Sequence, residues 1–382
     1  MLFMIILLGS VSANLTVPIW PLYISALGAS PAELGYVFAI SNAVLAFTPL
    51  VGGILSDRYG RKKTNVIGTL LGIFPPLFYV FAKTWLDLIP WVLINSLATA
   101  LYSPIRWVIV ADYSAAEKRA VTYSWMTSAF LLGATIAPFL GGLIADFLGI
   151  SATFVLSFVL MFLCFILSLL LQEQKKTINR QTLPTKEKTK DQPFFVIAFI
   201  LCMLFLVQAI GLSITVPLTP IFVQRQFMVK YTEVGILYSV GIGLSGLIVQ
   251  IPGGKLGAKY SERKLIVLAT MSSAVFLGLF ALSRNLMESV VLMFLAYCFV
   301  NIQWPAQQDI MVKLSPPNRW GLINGLLATF SGIGATVGSA ISGLIWDNLG
   351  MFFPYYICAL MVFLSAIPVI FLRETNHNGR NV

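Results

Sequence analysis

The stretch that decides the fold is GILSDRYGRKK, from Gly53 to Lys63, a short charged turn between two long apolar runs. A second copy, GKLGAKYSERK from Gly254 to Lys264, follows 201 residues later. Both copies are rich in glycine and basic residues, and both interrupt sequence that carries few charges. A charged turn repeated between apolar runs predicts a chain built as two similar halves.

The composition predicts a membrane protein. The chain has 382 residues, of which 58% are hydrophobic and only 10% are charged, and its mean hydropathy is +0.87. Soluble domains carry about 25% charged residues, so this chain has too few to cover a water-facing surface. Apolar runs of about 20 residues recur, each long enough to cross a hydrocarbon core of about 30 Å. Because a backbone in lipid must satisfy its own hydrogen bonds, we expect these runs to be helices.

The apolar runs predict twelve spanning helices. Their bounds are 1–27, 33–55, 64–82, 88–111, 121–146, 151–171, 193–223, 233–254, 264–283, 289–312, 321–346 and 351–372. We therefore predict an all-α membrane protein with twelve transmembrane helices in two pseudo-symmetric six-helix bundles, residues 1–171 and 193–382. The polar stretch 172–192 between them is predicted to be a flexible cytoplasmic linker.

The net charge of +10 indicates orientation rather than a nucleic-acid partner. Loops at one end of the predicted bundle hold 20 of the 25 lysine and arginine residues, and loops at the other end hold 4. The positive-inside rule places the basic loops, and with them both termini, in the cytoplasm. This predicts a multi-pass protein of the inner or plasma membrane that is surrounded by the lipid bilayer.

Paired prolines mark corresponding places in the two halves. Span 1 contains TVPIWP at 16–21, and span 7 contains TVPLTP at 215–220. Proline frees backbone groups of a helix and permits a bend. Interrupted helices at matching positions are typical of a transporter's binding site, and a static kink is the alternative.

The sequence offers little to support catalysis. The single histidine, His377, lies in the C-terminal tail, and the four cysteines lie within predicted spans without metal-ligand spacing. The sequence contains no Gly-Lys-Ser/Thr phosphate loop, which argues against ATP hydrolysis. We predict no metal, no cofactor and no enzymatic activity, with a membrane-embedded enzyme or a channel as the less favoured classes.

The charged turn and a second motif resemble the major facilitator superfamily, and most of all its drug/proton-antiporter-like branch. The family signature G-x-L-x-D-R-x-G-R-K is matched by Gly53, Leu55, Asp57, Arg58, Gly60, Arg61 and Lys62. The segment GATIAPFLGG at 133–142 resembles the antiporter motif G-x-x-x-G-P-x-x-G-G, with Ala137 where glycine is usual. That branch often has an acidic residue in span 1, which this chain lacks, and usually an arginine in the middle of span 4, about ten residues before Arg106, where Asn95 lies nearer.

The resemblance implies a conformational latch at the charged turn. It implies that Asp57 caps the N-terminus of span 11 in the outward-facing state and forms a charge cluster with Arg61 and Asp112. A carboxylate at a helix N-terminus is worth roughly 0.3–2 kcal/mol, enough to shift a two-state gate several-fold. The alternative is ordinary membrane-surface charge. The predicted latch residues are Asp57, Arg58, Gly60, Arg61, Asp112 and Arg119. Since Ala258 replaces the acidic residue in the second copy, we expect only the first half to latch.

The antiporter-like segment is predicted to pack helices. Glycine allows helix backbones to approach closely, and the predicted packing residues are Gly133, Pro138, Gly141 and Gly142. The resemblance adds that such a motif helps to seal span 5 against span 8, where Gly243 and Gly246 are candidates for the facing residues.

Polar residues inside the spans are the candidates for a cavity that binds substrate and protons. Intramembrane charges are functional by default, so Arg106 could bind an anionic group or pair with Asp309, and Asp309 could carry a coupled proton. Alternatively, Asp309 pairs with Lys313 and Arg106 reaches the membrane surface. For the amides, hydrogen bonds between helices are an equal alternative. The predicted cavity residues are Asn14, Trp20, Tyr23, Arg106, Gln208, Gln303, Gln307 and Asp309.

These patterns predict a secondary active transporter that works by alternating access between its two halves. Proton-coupled efflux of hydrophobic or amphipathic compounds is the first choice, and a sugar or organic-anion carrier is the runner-up. The predicted partners are a small-molecule substrate and protons, and the predicted state is a monomer.

Overall fold

The structure is a computed structural model that describes residues 1–114, 118–171, 194–259, 261–314 and 320–371. The predicted linker 172–192 lies outside these described residues. The first half contains α1 (Leu2–Thr16), α2 (Trp20–Ala26), α3 (Pro31–Tyr59), α4 (Arg61–Tyr79), a 3₁₀-helix (Trp85–Leu88), α5 (Ile89–Tyr113), α6 (Arg119–Leu148) and α7 (Ile150–Leu169). The second half contains α8 (Phe194–Thr215), α9 (Thr219–Phe227), α10 (Tyr231–Ile236), a π-helix (Leu237–Leu244), α11 (Ser245–Lys259), α12 (Glu262–Phe280), α13 (Leu286–Leu314), α14 (Trp320–Leu349) and α15 (Phe353–Ile370).

In the described ranges these elements form twelve helical segments. Two segments are interrupted, α1 with α2 and α8 with α9, and a third runs without a break from α10 through the π-helix into α11. Ten of the twelve are long and apolar enough to cross a membrane. The other two are α3, whose apolar part is Pro31–Phe47, and α4, which starts with three basic residues. The predicted all-α membrane fold with twelve spans is confirmed.

Both proline pairs interrupt their helices. Because proline has no N–H to donate and its ring crowds the preceding turn, the helix cannot continue unchanged. The chain instead forms a tight turn, in which the Ile19 N–H donates to the Thr16 carbonyl at 3.1 Å. The Leu218 N–H donates to the Thr215 carbonyl at 3.0 Å in the same way. The two halves therefore share this interruption.

The charged turn joins α3 to α4. Gly60 ends α3 and precedes α4 with a φ of 94°, a backbone angle that glycine adopts readily. The last turn of α3 contains Asp57 and Arg58, and Arg61 starts α4. We call the end of the bundle that contains this turn the basic end. The opposite end, with the loops at 27–30 and 228–230, is the far end.

Each half packs around a buried aromatic cluster at the far end, and the two clusters are repeats of each other. Their members are Tyr23, Tyr79 and Phe154 in the first half, and Phe222, Phe280 and Tyr355 in the second. Corresponding residues are 199 to 201 positions apart. The ring centroids of Tyr23 and Phe154 are 5.0 Å apart, and those of Phe222 and Tyr355 are 4.7 Å apart. This internal repeat makes the halves pseudo-symmetric in packing as well as in sequence.

The halves meet along two helix pairs. In one pair α3 packs on α14, and in the other α6 packs on α10 and the π-helix. One continuous hydrophobic core at the far end contains residues of both halves, including Leu34 and Leu237. The remaining core clusters of the described ranges each lie within one half. The far end is therefore closed between the halves.

Glycines allow this closure. A methyl group at Gly142 of α6 would lie 2.7 Å from the Thr232 Cα of α10, and one at Gly235 would lie 3.1 Å from the Phe139 Cα. Between α3 and α14 the corresponding contacts are Gly35 with Ser339 and Gly343 with Pro31. Any larger residue at these positions would hold the backbones of the two halves apart.

We expect Gly142→Ala to lower the thermal unfolding midpoint of the protein purified in detergent by several degrees. The added methyl group would overpack the α6–α10 contact, and overpacking costs about 1–3 kcal/mol. Gly325→Ala is the matched control, because a methyl group there meets none of the described atoms of neighbouring elements within 4 Å and alanine is the better helix former. Equal midpoints for both variants would contradict the close contact at Gly142.

Candidate functional site

A cavity of about 200 Å³ lies between the two halves, beside both proline breaks. The first half contributes Asn14 and Val17 near its break, together with Ala134 and Pro138 of α6. The second half contributes the larger part of the wall, including Thr215, Val216, Thr219, Tyr238, Ile242, Phe280, Met293, Tyr297 and Tyr355. The lining residues that the structure describes are all uncharged. The cavity therefore suits an uncharged, largely apolar ligand.

Two tyrosines of this wall can hydrogen-bond a ligand. No hydrogen bond joins the hydroxyl group of Tyr238 or Tyr297 to another residue in the part of the chain that the structure describes. Tyr355 differs, because its hydroxyl group donates to the Thr219 Oγ1 at 3.5 Å. Tyrosine combines an apolar ring with one polar group, which suits amphipathic ligands.

The π-helix lines the cavity and also holds α6. Tyr238 and Ile242 belong to this segment and line the wall. Between them in sequence, the Ser239 hydroxyl accepts a hydrogen bond from the Phe139 N–H of α6 at 2.9 Å. π-helical turns often occur at functional sites. Here the π-helix couples the cavity wall of the second half to the first half.

Asn14 is the predicted cavity residue that lines this cavity. Its amide donates to the Ser10 carbonyl at 2.8 Å. Trp20 and Tyr23 instead belong to the aromatic packing at the far end, where the Tyr23 hydroxyl donates to the Tyr79 carbonyl at 2.6 Å. Asp309 lies in the last turns of α13, is half-buried and is not part of the wall.

Arg106 points into its own half and not into the cavity wall. It is only 7% exposed. Its Nε donates to the Asn65 Oδ1 at 3.4 Å, and its Nη2 lies 3.1 Å from the Cys164 Sγ and 3.5 Å from the Thr69 Oγ1. The guanidinium also lies 4.2 Å from the centroid of the Tyr102 ring. In the described ranges no carboxylate pairs with it, so neutral groups and an aromatic face surround this charge.

The second half repeats this arrangement with amides. Gln307 corresponds to Arg106 at an offset of 201, and Gln208 corresponds to Gly9 at an offset of 199. A methyl group at Gly9 would lie 3.3 Å from the Arg106 Cζ, so the guanidinium fills the space that a side chain fills in the other half. There the Gln307 Nε2 donates to the Gln208 Oε1 at 3.5 Å, and the Thr270 hydroxyl donates to the Gln303 Oε1 at 2.5 Å. These amides therefore join helices within one half.

The structure brings two of the predicted latch residues together. Arg61, at the start of α4, forms an ion pair with Asp112, near the end of α5. Both side chains are partly exposed, and such pairs are worth about 0–1 kcal/mol. The Arg58 guanidinium lies 5.5 Å from the centroid of the Tyr59 ring. The side chains of Asp57 and Arg119 lie outside the described part of the structure, so the cap on span 11 stays a prediction.

The predicted packing segment of α6 faces two directions. A methyl group at Gly133 would lie 2.6 Å from the Ser10 Oγ, and one at Gly141 would lie 2.9 Å from the Leu15 carbonyl carbon, so both glycines pack on α1 of their own half. Gly142 and Pro138 pack on α10 of the other half. Across the same contact, a methyl group at Gly243 would lie 2.5 Å from the Thr135 Cα. One segment thus packs α6 both within and between the halves.

Comparison with known proteins decides the family. The model of the Major Facilitator Superfamily matches residues 2–209 and, a second time, residues 201–382. The chain belongs to the Major Facilitator Superfamily. The second match agrees with the duplication of the two halves in sequence and in packing.

Relatives in the superfamily are similar along almost the whole chain. Multidrug resistance protein 2 of Bacillus subtilis is 23% identical over 393 residues, which cover 96% of this chain and 92% of that protein. Quinolone resistance protein NorA of Staphylococcus aureus is 26% identical over 376 residues, which cover 96% and 94%. The crystal structure of nucleoside transporter NupG superimposes with a TM-score of 0.80 at 15% identity, covering 97% and 98%. At this identity the likeness to NupG shows the fold alone.

Membership of the superfamily makes the chain a transporter and not an enzyme. Members carry small molecules across membranes, and ten apolar helices make this chain a multi-pass membrane protein. The family resemblance predicted from the charged turn is confirmed.

Sequence reasoning missed most of the cavity wall. Tyr238, Tyr297 and Tyr355 were not among the predicted residues, because aromatic residues make up 13% of the chain and nothing marks these three. The available signal was the pair of proline breaks. The cavity lies beside both of them, although the residues that line it come from many helices.

We expect Arg106→Leu to lower the thermal midpoint of the purified transporter more than Arg106→Gln does. The leucine would leave the Asn65 and Thr69 oxygens without their donor, and an unpaired buried polar group costs about 1–3 kcal/mol. Glutamine retains a donor and is the residue found at the corresponding position of the second half. Indistinguishable midpoints for the two variants would refute this role of Arg106 inside its own half.

Proposed function

We propose that this transporter exports uncharged hydrophobic or amphipathic compounds in exchange for protons, by alternating access between its two halves. The observation that carries the proposal is the cavity, which lies between the halves, is closed at the far end and has an uncharged, largely apolar wall. Pockets of this kind bind apolar ligands and use a few polar groups for orientation. The two relatives named for multidrug and quinolone resistance support efflux.

The charge distribution supports a defined orientation in the plasma membrane. Arg58, Arg61 and Lys264 lie at the basic end, and the positive-inside rule assigns that end to the cytoplasm. Both termini then lie in the cytoplasm and the far end faces outward. Because the far end is closed, we assign the described arrangement to the inward-facing side of the proposed cycle, in which substrate is loaded from the cytoplasm. The proposed functional unit is the monomer, because two halves of one chain enclose the cavity.

A second candidate is the uptake of uncharged polar solutes such as sugars or nucleosides. The observation that favours it is the pair of tyrosine hydroxyls, on Tyr238 and Tyr297, without a partner among the described residues. The fold likeness to a nucleoside transporter is compatible with it. An organic-anion carrier is less favoured, because Arg106 is not part of the cavity wall.

Transport by proteoliposomes distinguishes these candidates. A panel of labelled cationic, neutral and anionic solutes, tested with and without a pH gradient, would identify both substrate class and coupling. We expect transport of neutral amphipathic dyes that depends on the gradient, with Asp309 as the candidate proton carrier. Gradient-independent uptake of a sugar or nucleoside would favour the second candidate.

We expect Val216→Trp to abolish dye transport without reducing the amount of folded protein in the membrane. Val216 lines the cavity beside the second proline break, and an indole there would fill much of a volume of about 200 Å³. Val291→Trp is the matched control, since Val291 is 45% exposed on α13 and is not part of the wall. If Val216→Trp transports dye as fast as this control, the substrate does not pass through the cavity.

We expect Asp57→Asn to slow transport by about 2- to 30-fold while membrane insertion stays normal. The proposed latch stabilises the outward-facing state, and a charge at a helix N-terminus contributes roughly 0.3–2 kcal/mol. Asp112→Asn, which breaks only the exposed pair with Arg61, should have the smaller effect. Wild-type turnover by Asp57→Asn would remove the latch from the proposal.

A further inference from the structure

Asp146 joins the two halves at the far end. It lies near the C-terminal end of α6, and its carboxylate accepts hydrogen bonds from the N–H groups of Tyr231 at 3.1 Å and Thr232 at 2.8 Å. The Thr232 hydroxyl donates a third hydrogen bond at 2.5 Å. Tyr231 starts the continuous helical segment of α10, the π-helix and α11. A carboxylate of the first half therefore caps a spanning helix of the second.

Asp347 makes the corresponding contact in the opposite direction. It follows Asp146 by 201 residues and lies near the C-terminal end of α14. Its carboxylate accepts a hydrogen bond from the Ala32 N–H at 3.2 Å, in the first turn of α3. This second contact is the pseudo-symmetric counterpart of the first. The two contacts are therefore one feature of the repeat and not a coincidence.

The same local geometry builds both contacts. Each carboxylate follows, by one helical turn, a glycine that touches the same helix start: Gly142 contacts Tyr231, and Gly343 contacts Pro31. Residues four apart share one face of a helix. The glycine brings the two backbones together, and the aspartate one turn later then lies at the N-terminus of the facing helix.

The two contacts differ in strength because one of the two capped helices begins with proline. The first position of α3 is Pro31, which has no N–H, whereas the first position of α10 is Tyr231, which has one. Asp347 therefore finds one backbone donor where Asp146 finds two. The Thr232 hydroxyl adds to this difference.

We infer that Asp146 and Asp347 are positioning residues of the transport cycle that hold the far end closed, and that Asp146 has the larger effect. Since both contacts join one half to the other, they exist only while the far end is closed, and they stabilise that posture alone. This inference rests on the proposed alternating-access cycle. It places two carboxylate caps at the far end. They are of the same kind as the cap that the proposed latch at Asp57 supplies at the basic end.

The experiment measures the distance between the halves in the intact transporter. Spin labels are attached at Phe81→Cys and Leu282→Cys, two exposed far-end positions related by the 201-residue offset, after Cys164, Cys202, Cys298 and Cys358 are replaced by serine. We expect Asp146→Asn to raise the ratio of open to closed far ends by about 2- to 30-fold, the range for loss of a charge at a helix N-terminus. Asp347→Asn should give a smaller increase in the same direction.

Asp87→Asn is the matched control. Asp87 lies at the same end and also accepts two backbone hydrogen bonds, from Lys83 at 3.0 Å and Thr84 at 2.9 Å, but both are within the first half. It loses the same charge and the same number of backbone bonds without separating the halves. We expect it to leave the distance distribution of the wild type unchanged.

Each outcome decides the inference. A shift for Asp146→Asn and none for Asp87→Asn supports it, whereas equal distributions for these two variants overturn it, even if the wild type transports dye normally. A wild type that transports none of the panel and shows one distance in every variant would overturn the alternating-access proposal, and this inference with it.

Discussion

The described arrangement depends on one contact, in which helix backbones of the two halves approach each other closely. In a membrane the hydrophobic effect does not drive helices together, because lipid chains are as apolar as the side chains they would replace. Association then relies on close packing and on hydrogen bonds between helices. Gly142 and Gly343 supply the close packing at the far end, and the hydrogen bonds of Asp146 and Asp347 lie one helical turn away. The aromatic clusters of both halves can merge into one core because these contacts bring the helices together.

The partners of the polar residues inside the spans follow from the absence of water in the membrane interior. A polar group in lipid or in a dry helix interface must find a partner, and a charge there is expensive. Arg106 is surrounded by Asn65, Thr69, Cys164 and the Tyr102 ring within its own half. In the second half, Gln303 bonds to Thr270, and Gln307 bonds to Gln208. With these groups engaged within the bundles, an uncharged wall remains between the halves, and that wall is the basis of the proposed substrate class.

The fold was predictable to a degree that the site was not. Composition and the length of the apolar runs led directly to twelve spans, and the repeated charged turn led to two halves and to the family. The paired prolines indicated where a cavity would lie. In contrast, Arg106 and Gln307 were predicted to line the cavity, and the structure places both in hydrogen bonds inside their own halves. The tyrosines that do line it carried no signal in the sequence.

The physical reason is the orientation of each helix about its own axis. In a soluble protein the polar face of a helix marks the side that meets water, and the apolar stripe marks the core. In a spanning helix the lipid side and the packed side are both apolar, so periodicity does not show which way Arg106 or Tyr297 points. The sequence by itself determined the number of spans, their pairing by repeat, the basic end and the positions of the helix breaks, because each depends on local composition or on spacing along the chain. Only the tertiary structure decided which side chains meet in the cavity, which are buried within one half and which carboxylates reach across to the other, because those contacts depend on how the helices are rotated and how closely their backbones approach.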